Sequence, residues 1–199
     1  MGHTVYMWNL KMNNNWRHRF LYIILGIAIV LPYLGLWYLH RWYTNKAEGI
    51  RNARFIVADK STMTLSLYDY RGEELINVPM ACGKSLGDKQ QQGDMRTPEG
   101  VFHVESIEDA SSWTHDFGDG NGEVEGAYGP LFIRLACPGH KGIGIHGTHL
   151  PESLGTRATE GCIRIDNNEL LQLAEQVHVG MVVAVLPSKE DVKENSTNQ

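Results

Sequence analysis

The longest unbroken apolar stretch in the chain is FLYIILGIAIVLPYLGLWYL, residues 20–39, which contains no charge. As a helix rising 1.5 Å per residue, it crosses roughly 30 Å of hydrocarbon. Aromatic residues gather at both ends (Trp16, Phe20, Tyr22; Trp37, Tyr38, Trp42, Tyr43), where rings settle at a membrane interface, and Arg19 and Arg41 bracket the run. The pattern predicts a single membrane-spanning helix over 20–39, after a cytoplasmic segment at 1–19. A cleaved leader is the alternative, but the run is long for one, and LGLWYLHRWYTNKA has no small-x-small cleavage site.

Beyond a polar linker at 40–53 the pattern turns from continuous to alternating. RFIVAD from Arg54, MTLSLYDY from Met63 and EELINVPMAC from Glu73 read as strands separated by the turn-like DKST and YRG. GVFHVESI, LFIRLA, GIGIHG and MVVAVL, from Gly100, Leu131, Gly142 and Met181, continue the series with many β-branched residues. One amphipathic helix is predicted, opening at Asp166 with Glu169 three residues on, running through LLQLAEQV and stopped by Gly180. The tail, 187–199, has almost nothing apolar to bury and is expected to be disordered. Between Glu105 and Tyr128 lies a long, acidic, Gly-rich stretch without periodicity, the signature of a binding loop or lid. Its DFGDGNGE run lacks the alternating ligand spacing of an EF-hand.

Charge sharpens this division. Five of the 18 Lys and Arg residues, and none of the 23 Asp and Glu residues, precede Glu48. The portion after the anchor is thus strongly acidic, which argues against nucleic acid as a partner. Lys and Arg near the two ends of the apolar run are similar in number, so charge does not orient it. Cys82, Cys137 and Cys162 form no CxxC or paired metal spacing, and the odd count leaves at least one thiol free. Cys82 and Cys137 are either two buried thiols or, outside the membrane, a disulfide.

Two of the remaining residues suit nucleophilic chemistry. His146 and Cys162 each adjoin a glycine, in His146-Gly147 and Gly161-Cys162. An imidazole can take the thiol proton, and glycine lets a substrate backbone approach the sulfur. The helix expected soon after Cys162 adds a modest dipole in favour of a thiolate. On spacing alone, a small buried Cys and a turn His remain open, as does zinc ligation by His140, His146 and His149, although no helix aligns them.

The run I-x-I-H-G-T-x-x-P-x-S-L-G-x-x-x-T-x-G-C-I-R, from Ile143 to Arg164, resembles the signature of the L,D-transpeptidase catalytic domain, also called the YkuD-like domain. TPEGVF upstream matches that family's Thr-Pro-x-Gly-x-Phe strand. The resemblance implies a mainly β, sandwich-like catalytic domain over 54–186 with one short helix after the catalytic Cys, preceded by the transmembrane helix, and with no cofactor or metal. It implies Cys162 as nucleophile, His146 as general base oriented by the Gly147 carbonyl, and an oxyanion hole from the N–H groups of Gly161 and Cys162. Arg164, Glu160, Tyr128 and Thr159 are the expected substrate contacts. The common Ser/Thr-His-Gly-Cys is here Thr159-Glu160-Gly161-Cys162, which lacks an auxiliary histidine and keeps the dyad; Glu160 is expected to pair with Arg157 or Arg164. The implied partners are peptidoglycan stem peptides, with the domain on the extracytoplasmic side of the cell membrane. The implied reaction is acyl transfer to an amine, with hydrolysis as the alternative and an inactive peptidoglycan-binding module as the competing class.

Overall fold

A computed structural model describes residues 14–51, 53–118 and 120–197. The chain divides into two units, Met1–Ile50 and Arg51–Gln199. Residues 1–13, most of the segment expected in the cytoplasm, lie outside the described residues.

Among the described residues the first unit is helical, within α1 (Asn14–Arg51), which has Pro32 inside it. His18–Lys46 is long and apolar enough to cross a membrane, with a mean hydropathy of 2.2 and nothing buried within the protein. The expected linker is helical as far as Arg51, a difference with a local cause. Arg41 lies over Trp37 and Lys46 over Trp42, each pair four residues apart and so on one helix face.

The second unit is mainly β. Its strands are β1 (Arg54–Asp59), β2 (Thr64–Asp69), β3 (Glu74–Pro79), β4 (Cys82–Gly83), β5 (Gly100–Asp109), β6 (Thr114–Asp116), β7 (Glu123–Glu125), β8 (Leu131–Leu135), β9 (Gly144–His146), β10 (Arg157–Thr159), β11 (Ile163–Arg164) and β12 (Val182–Leu186). Eight of them form one sheet in the order β11-β9-β8-β5-β12-β1-β2-β3, while β10 pairs with β4 and β6 with β7. Alternation decides which side chains turn inward. Ile56 and Ala58 of β1, Leu65 and Leu67 of β2, Ile133 and Leu135 of β8, and Val183 and Val185 of β12 all enter one buried cluster, about which the sheet curls. The β6/β7 hairpin occupies the stretch that had no sequence period.

Helix α2 (Asn167–Ala174) follows β11 and drops Leu170 and Leu173 into the cluster; its N-cap Asp166 accepts the Asn168 N–H at 2.8 Å. It ends earlier than predicted. Gly180, at φ +88°, makes the turn into β12 instead, donating its N–H to Val104 O.

The expected disordered tail is a correction. Residues Lys189–Thr197 form helix α3. Ser188 caps it: the Asp191 N–H donates to Ser188 Oγ at 3.2 Å, and the Ser188 N–H donates back to Asp191 Oδ2 at 2.9 Å. Asp191 is fully buried and meets Arg157 Nη2 at 2.6 Å, Lys60 Nζ at 3.4 Å and the Gly87 N–H at 2.7 Å. Asn195 Oδ1 takes the Asp88 N–H and its Nδ2 donates to Glu99. The tail is ordered by polar contacts, so a reading based on apolar burial had no signal for it. Those contacts anchor β10 and the 84–99 loop, both of which border the site.

Candidate active site

Short parallel pairing between β9 and β11 sets the central geometry. Ile145 faces Ile163 and His146 faces Arg164 in register, so Cys162, one residue before β11, arrives beside β9. Both side chains line one cavity of about 330 Å³. His146 is 4% exposed, its ring stacked on Phe132 (5.7 Å between centroids, 8° between planes) and met edge-on by Tyr128 at 5.0 Å. Its Nδ1–H donates to Gly147 O at 2.7 Å, which leaves Nε2 as the proton acceptor. The Gly147 N–H in turn donates to Tyr128 O, and Asn167 brackets Thr148 by donating to its carbonyl and accepting its N–H. Asn167 fits only because Gly147 and Gly129 carry no Cβ: one on Gly147 would lie 2.0 Å from Asn167 Oδ1.

Burial depresses the His146 pKa to about 3, with the Gly147 carbonyl opposing the shift and the charges of Arg164, His115 and His149 adding to it. Burial likewise raises the Cys162 thiol to about 11, against the Gly144 N–H and the cations Lys89, Arg134 and Arg164. The resting pair is therefore a neutral thiol and a neutral imidazole. Among the described residues no hydrogen bond joins them; the thiol donates to Gly142 O at 3.3 Å. The two side chains line the same pocket, the thiol carrying a proton and the imidazole with Nε2 open to accept one.

The 159–162 turn differs from one sequence expectation. Thr159 Oγ1 donates to Cys162 O at 2.6 Å and accepts the Gly161 N–H at 3.1 Å. The Gly161 N–H, expected in an oxyanion hole, is thus engaged within the turn, while the Cys162 N–H has no protein partner among the described residues. Thr159, 3% exposed, lines the pocket while its hydroxyl shapes the turn. Gly161 adopts φ +141°, and a Cβ there would stand 2.8 Å from Arg96 O and 3.4 Å from Lys89 Nζ.

Charge around the pocket is also arranged differently from expectation. Glu160 pairs with neither arginine: its Oε2 accepts from His115 Nε2 at 3.2 Å, and His115 Nδ1 accepts the Tyr128 hydroxyl at 3.0 Å. Arg157 is held instead by Asp191, because β10 and β4 turn it toward α3. Arg164 is buried; its Nη1 donates to Ser153 Oγ at 3.0 Å, its Nε has no partner, and no carboxylate among the described residues balances it. Its unneutralised charge lies close to the sulfur, where it favours an anion.

His115 and Lys89 are among the pocket residues without a signal in the sequence. His115 comes from β6, in the stretch without periodicity. Lys89, 7% exposed, donates to Asp94 at 2.7 Å and to Arg96 O, which fixes its charge beside Gly161 and Cys162. The Asp94 carboxylate accepts the N–H groups of Gln90, Gln91 and Arg96, and D-K-Q-Q-Q-G-D is the one local trace of that knot.

Cys82 and Cys137 are separate buried thiols, the former 3.8 Å from Met63 Sδ. His140 bridges to Cys137, and the His149 ring lies against Phe117, both apart from His146. Among the described residues no three His, Cys, Asp or Glu side chains are grouped to hold a metal.

The profile of YkuD, the L,D-transpeptidase catalytic domain, matches residues 53–185. A Bacillus licheniformis protein provisionally named L,D-transpeptidase YkuD is 29% identical over 143 residues, covering 70% of this chain and 72% of that protein. The fold is similar to the catalytic domain of an E. faecium L,D-transpeptidase solved by NMR, at TM-score 0.51 and 23% identity, over 68% of this chain and 98% of that one. An L,D-transpeptidase from Mycobacterium smegmatis aligns at TM-score 0.49 and 21% identity over 66% of this chain, which spans 58% of that longer protein.

Proposed function

The chain belongs to the L,D-transpeptidase catalytic domain family, and from that membership we propose that it is an acyltransferase acting on peptidoglycan stem peptides, with Cys162 as nucleophile. The observation that carries this reading is the pairing, in one pocket, of the Cys162 thiol with a neutral His146 whose Nδ1–H is held by Gly147 O and whose Nε2 is open. A base poised in this way activates the thiol only when a carbonyl is present, which suppresses idle alkylation and oxidation.

In the first step Sγ attacks the carbonyl of the third stem residue. His146 Nε2 takes the thiol proton and returns it to the departing terminal D-residue, leaving a thioester. The oxyanion formed in passing is received by the Cys162 N–H, beside the charges of Arg164 and Lys89. In the second step an amine attacks the thioester carbonyl, its surplus proton passes by way of His146 to the leaving sulfur, and an amide cross-link results.

The test is product analysis with a stem tetrapeptide and a second stem as acceptor. Wild-type protein should release the terminal D-residue and form a cross-linked dimer. Cys162→Ala should form none, and His146→Ala should lose about 100-fold to 10,000-fold. Release without dimer would make the protein a carboxypeptidase; no release at all would leave a binding module.

We assign α1 as the membrane anchor, with the catalytic domain facing the wall. The exposed apolar span of 29 residues supports this. A reporter that works only outside the membrane, fused after Gln199, should be active; activity of a cytoplasmic reporter there would refute the placement.

A further inference from the structure

Glu160 stands where the family's common pattern has histidine, and its surroundings say what it does. Among the described residues it is the only carboxylate on the wall of the pocket that holds Cys162 and His146; the other charged groups there, Lys89, Lys141 and Arg164, are cations. One of its oxygens is fixed. His115, carried in from β6 across 45 residues of sequence, meets Oε2 at 3.2 Å, and the Tyr128 hydroxyl holds the far nitrogen of that ring. A carboxylate only accepts, so the hydrogen lies on His115 Nε2, and in the neutral ring Nδ1 then accepts from the phenol. The chain Tyr128–His115–Glu160 is satisfied from end to end in its neutral-imidazole form. Oε1 has no partner among the described residues, and 37% of the Glu160 side chain is exposed.

We infer that Glu160, oriented by His115 and Tyr128, is the subsite that receives the ammonium group of the acceptor amine. The inference rests on the acyl-transfer reading above and adds to it the site and charge of the second substrate. A primary amine reaches the pocket protonated, and of the charged groups lining it only Glu160 attracts a cation. Once held there the ammonium loses one proton to solvent. The free amine then attacks the thioester: the C–N bond forms, the C–S bond breaks, and sulfur leaves with the electron pair. The second proton of that nitrogen travels through His146 Nε2 to Sγ, restoring the neutral pair. A carboxylate so near the nucleophile does not oppose the resting state, because the resting thiol is uncharged. The plainer alternative is that Glu160 only latches the β6/β7 hairpin to the 159–162 turn. A latch serves every nucleophile equally, whereas an ammonium subsite serves cationic ones.

The experiment is a competition on the full chain in detergent micelles. A stem tetrapeptide forms the thioester, which is offered a peptide bearing a primary amine or, separately, hydroxylamine, which is uncharged at neutral pH. The readout is the ratio of the two transfer efficiencies, which cancels any change in acylation. Wild-type protein should favour the cationic amine; Glu160→Gln should cut that ratio at least tenfold, and Glu160→Asp, which keeps the charge, should retain most of it. A second measurement needs no variant: raising salt from about 50 to 500 mM should raise the wild-type KM for the cationic amine several-fold and leave that for hydroxylamine in place. A ratio unchanged within twofold in Glu160→Gln, or equal salt responses, overturns the subsite. Wild-type protein that transfers to neither nucleophile overturns the transferase reading itself, and the subsite with it.

Discussion

Replacing Asp191 with Ala removes a carboxylate from a densely bonded polar cluster outside the pocket. Asp191 is fully buried; its Oδ2 accepts from Arg157 Nη2 at 2.6 Å and from the Ser188 N–H, and its Oδ1 accepts from the Gly87 N–H beside Lys60. Removing one partner of a buried charge network typically costs 3–5 kcal/mol, because the remaining charges stay desolvated. Two features move this case to the low end. Lys60 keeps Glu99 at 2.6 Å, and the Arg157 side chain retains 17% exposure. A loss of about 3 kcal/mol is expected, or a fall in Tm of roughly 6–12 °C for a domain of this size. Calorimetry of the full chain in micelles measures it, with Lys193→Ala on the exposed face of α3 as the control. Burial works to raise the Asp191 pKa, but bonds from Gly87 and Ser188 and the Lys60 charge outweigh it and hold the group near 2. A carboxyl lowered in the folded state stabilises above its unfolded pKa of about 4, and that contribution fades as pH falls toward 2. The gap between wild type and variant should therefore be full at pH 7 and narrow below pH 4. A Tm within about 2 °C of wild type at pH 7 would refute the reasoning and return the tail to disorder.

Deleting residues 188–199 should also lower turnover, since α3 holds the 84–99 loop that carries Lys89; full activity of the truncated protein would separate the tail from the site. Thr159→Val removes both bonds that shape the 159–162 turn, worth about 1–3 kcal/mol together, and should reduce kcat at least tenfold with KM nearly constant, while Thr159→Ser recovers most of the loss. Because burial holds the Cys162 thiol near 11, its alkylation by iodoacetamide, followed by peptide mapping, should be slow at pH 7 and still climbing at pH 9; a plateau below pH 7 would reveal a resting thiolate–imidazolium pair.

How much of the fold and site is legible in the sequence follows from how each part is held. The sheet was legible because β1, β2, β8 and β12 bury alternate side chains in one core, which leaves a period of two in the sequence. His146 and Cys162 were legible as a motif because the β9/β11 register constrains the whole run between them. The Gly161 N–H was misread because its partner is a hydroxyl two residues away, and the direction of a turn amide is not encoded in the glycine. His115 left no trace: what makes it part of the site is a contact with Glu160 across 45 residues. Helix α3 was missed for the opposite reason, since its one signal is the polar Ser188-x-x-Asp191 cap, and Asp191 is its single buried residue.

The central claim is a covalent acyl-enzyme on Cys162 that an amine discharges. Rapid-quench mass spectrometry of the full chain with a stem tetrapeptide tests it most directly. The account predicts a transient adduct of tripeptide mass on Cys162, formed as the terminal D-residue appears and dispersed into cross-linked product when an acceptor amine is added. Turnover by Cys162→Ala at the wild-type rate, or release of the D-residue with no such adduct at any time point, would contradict it.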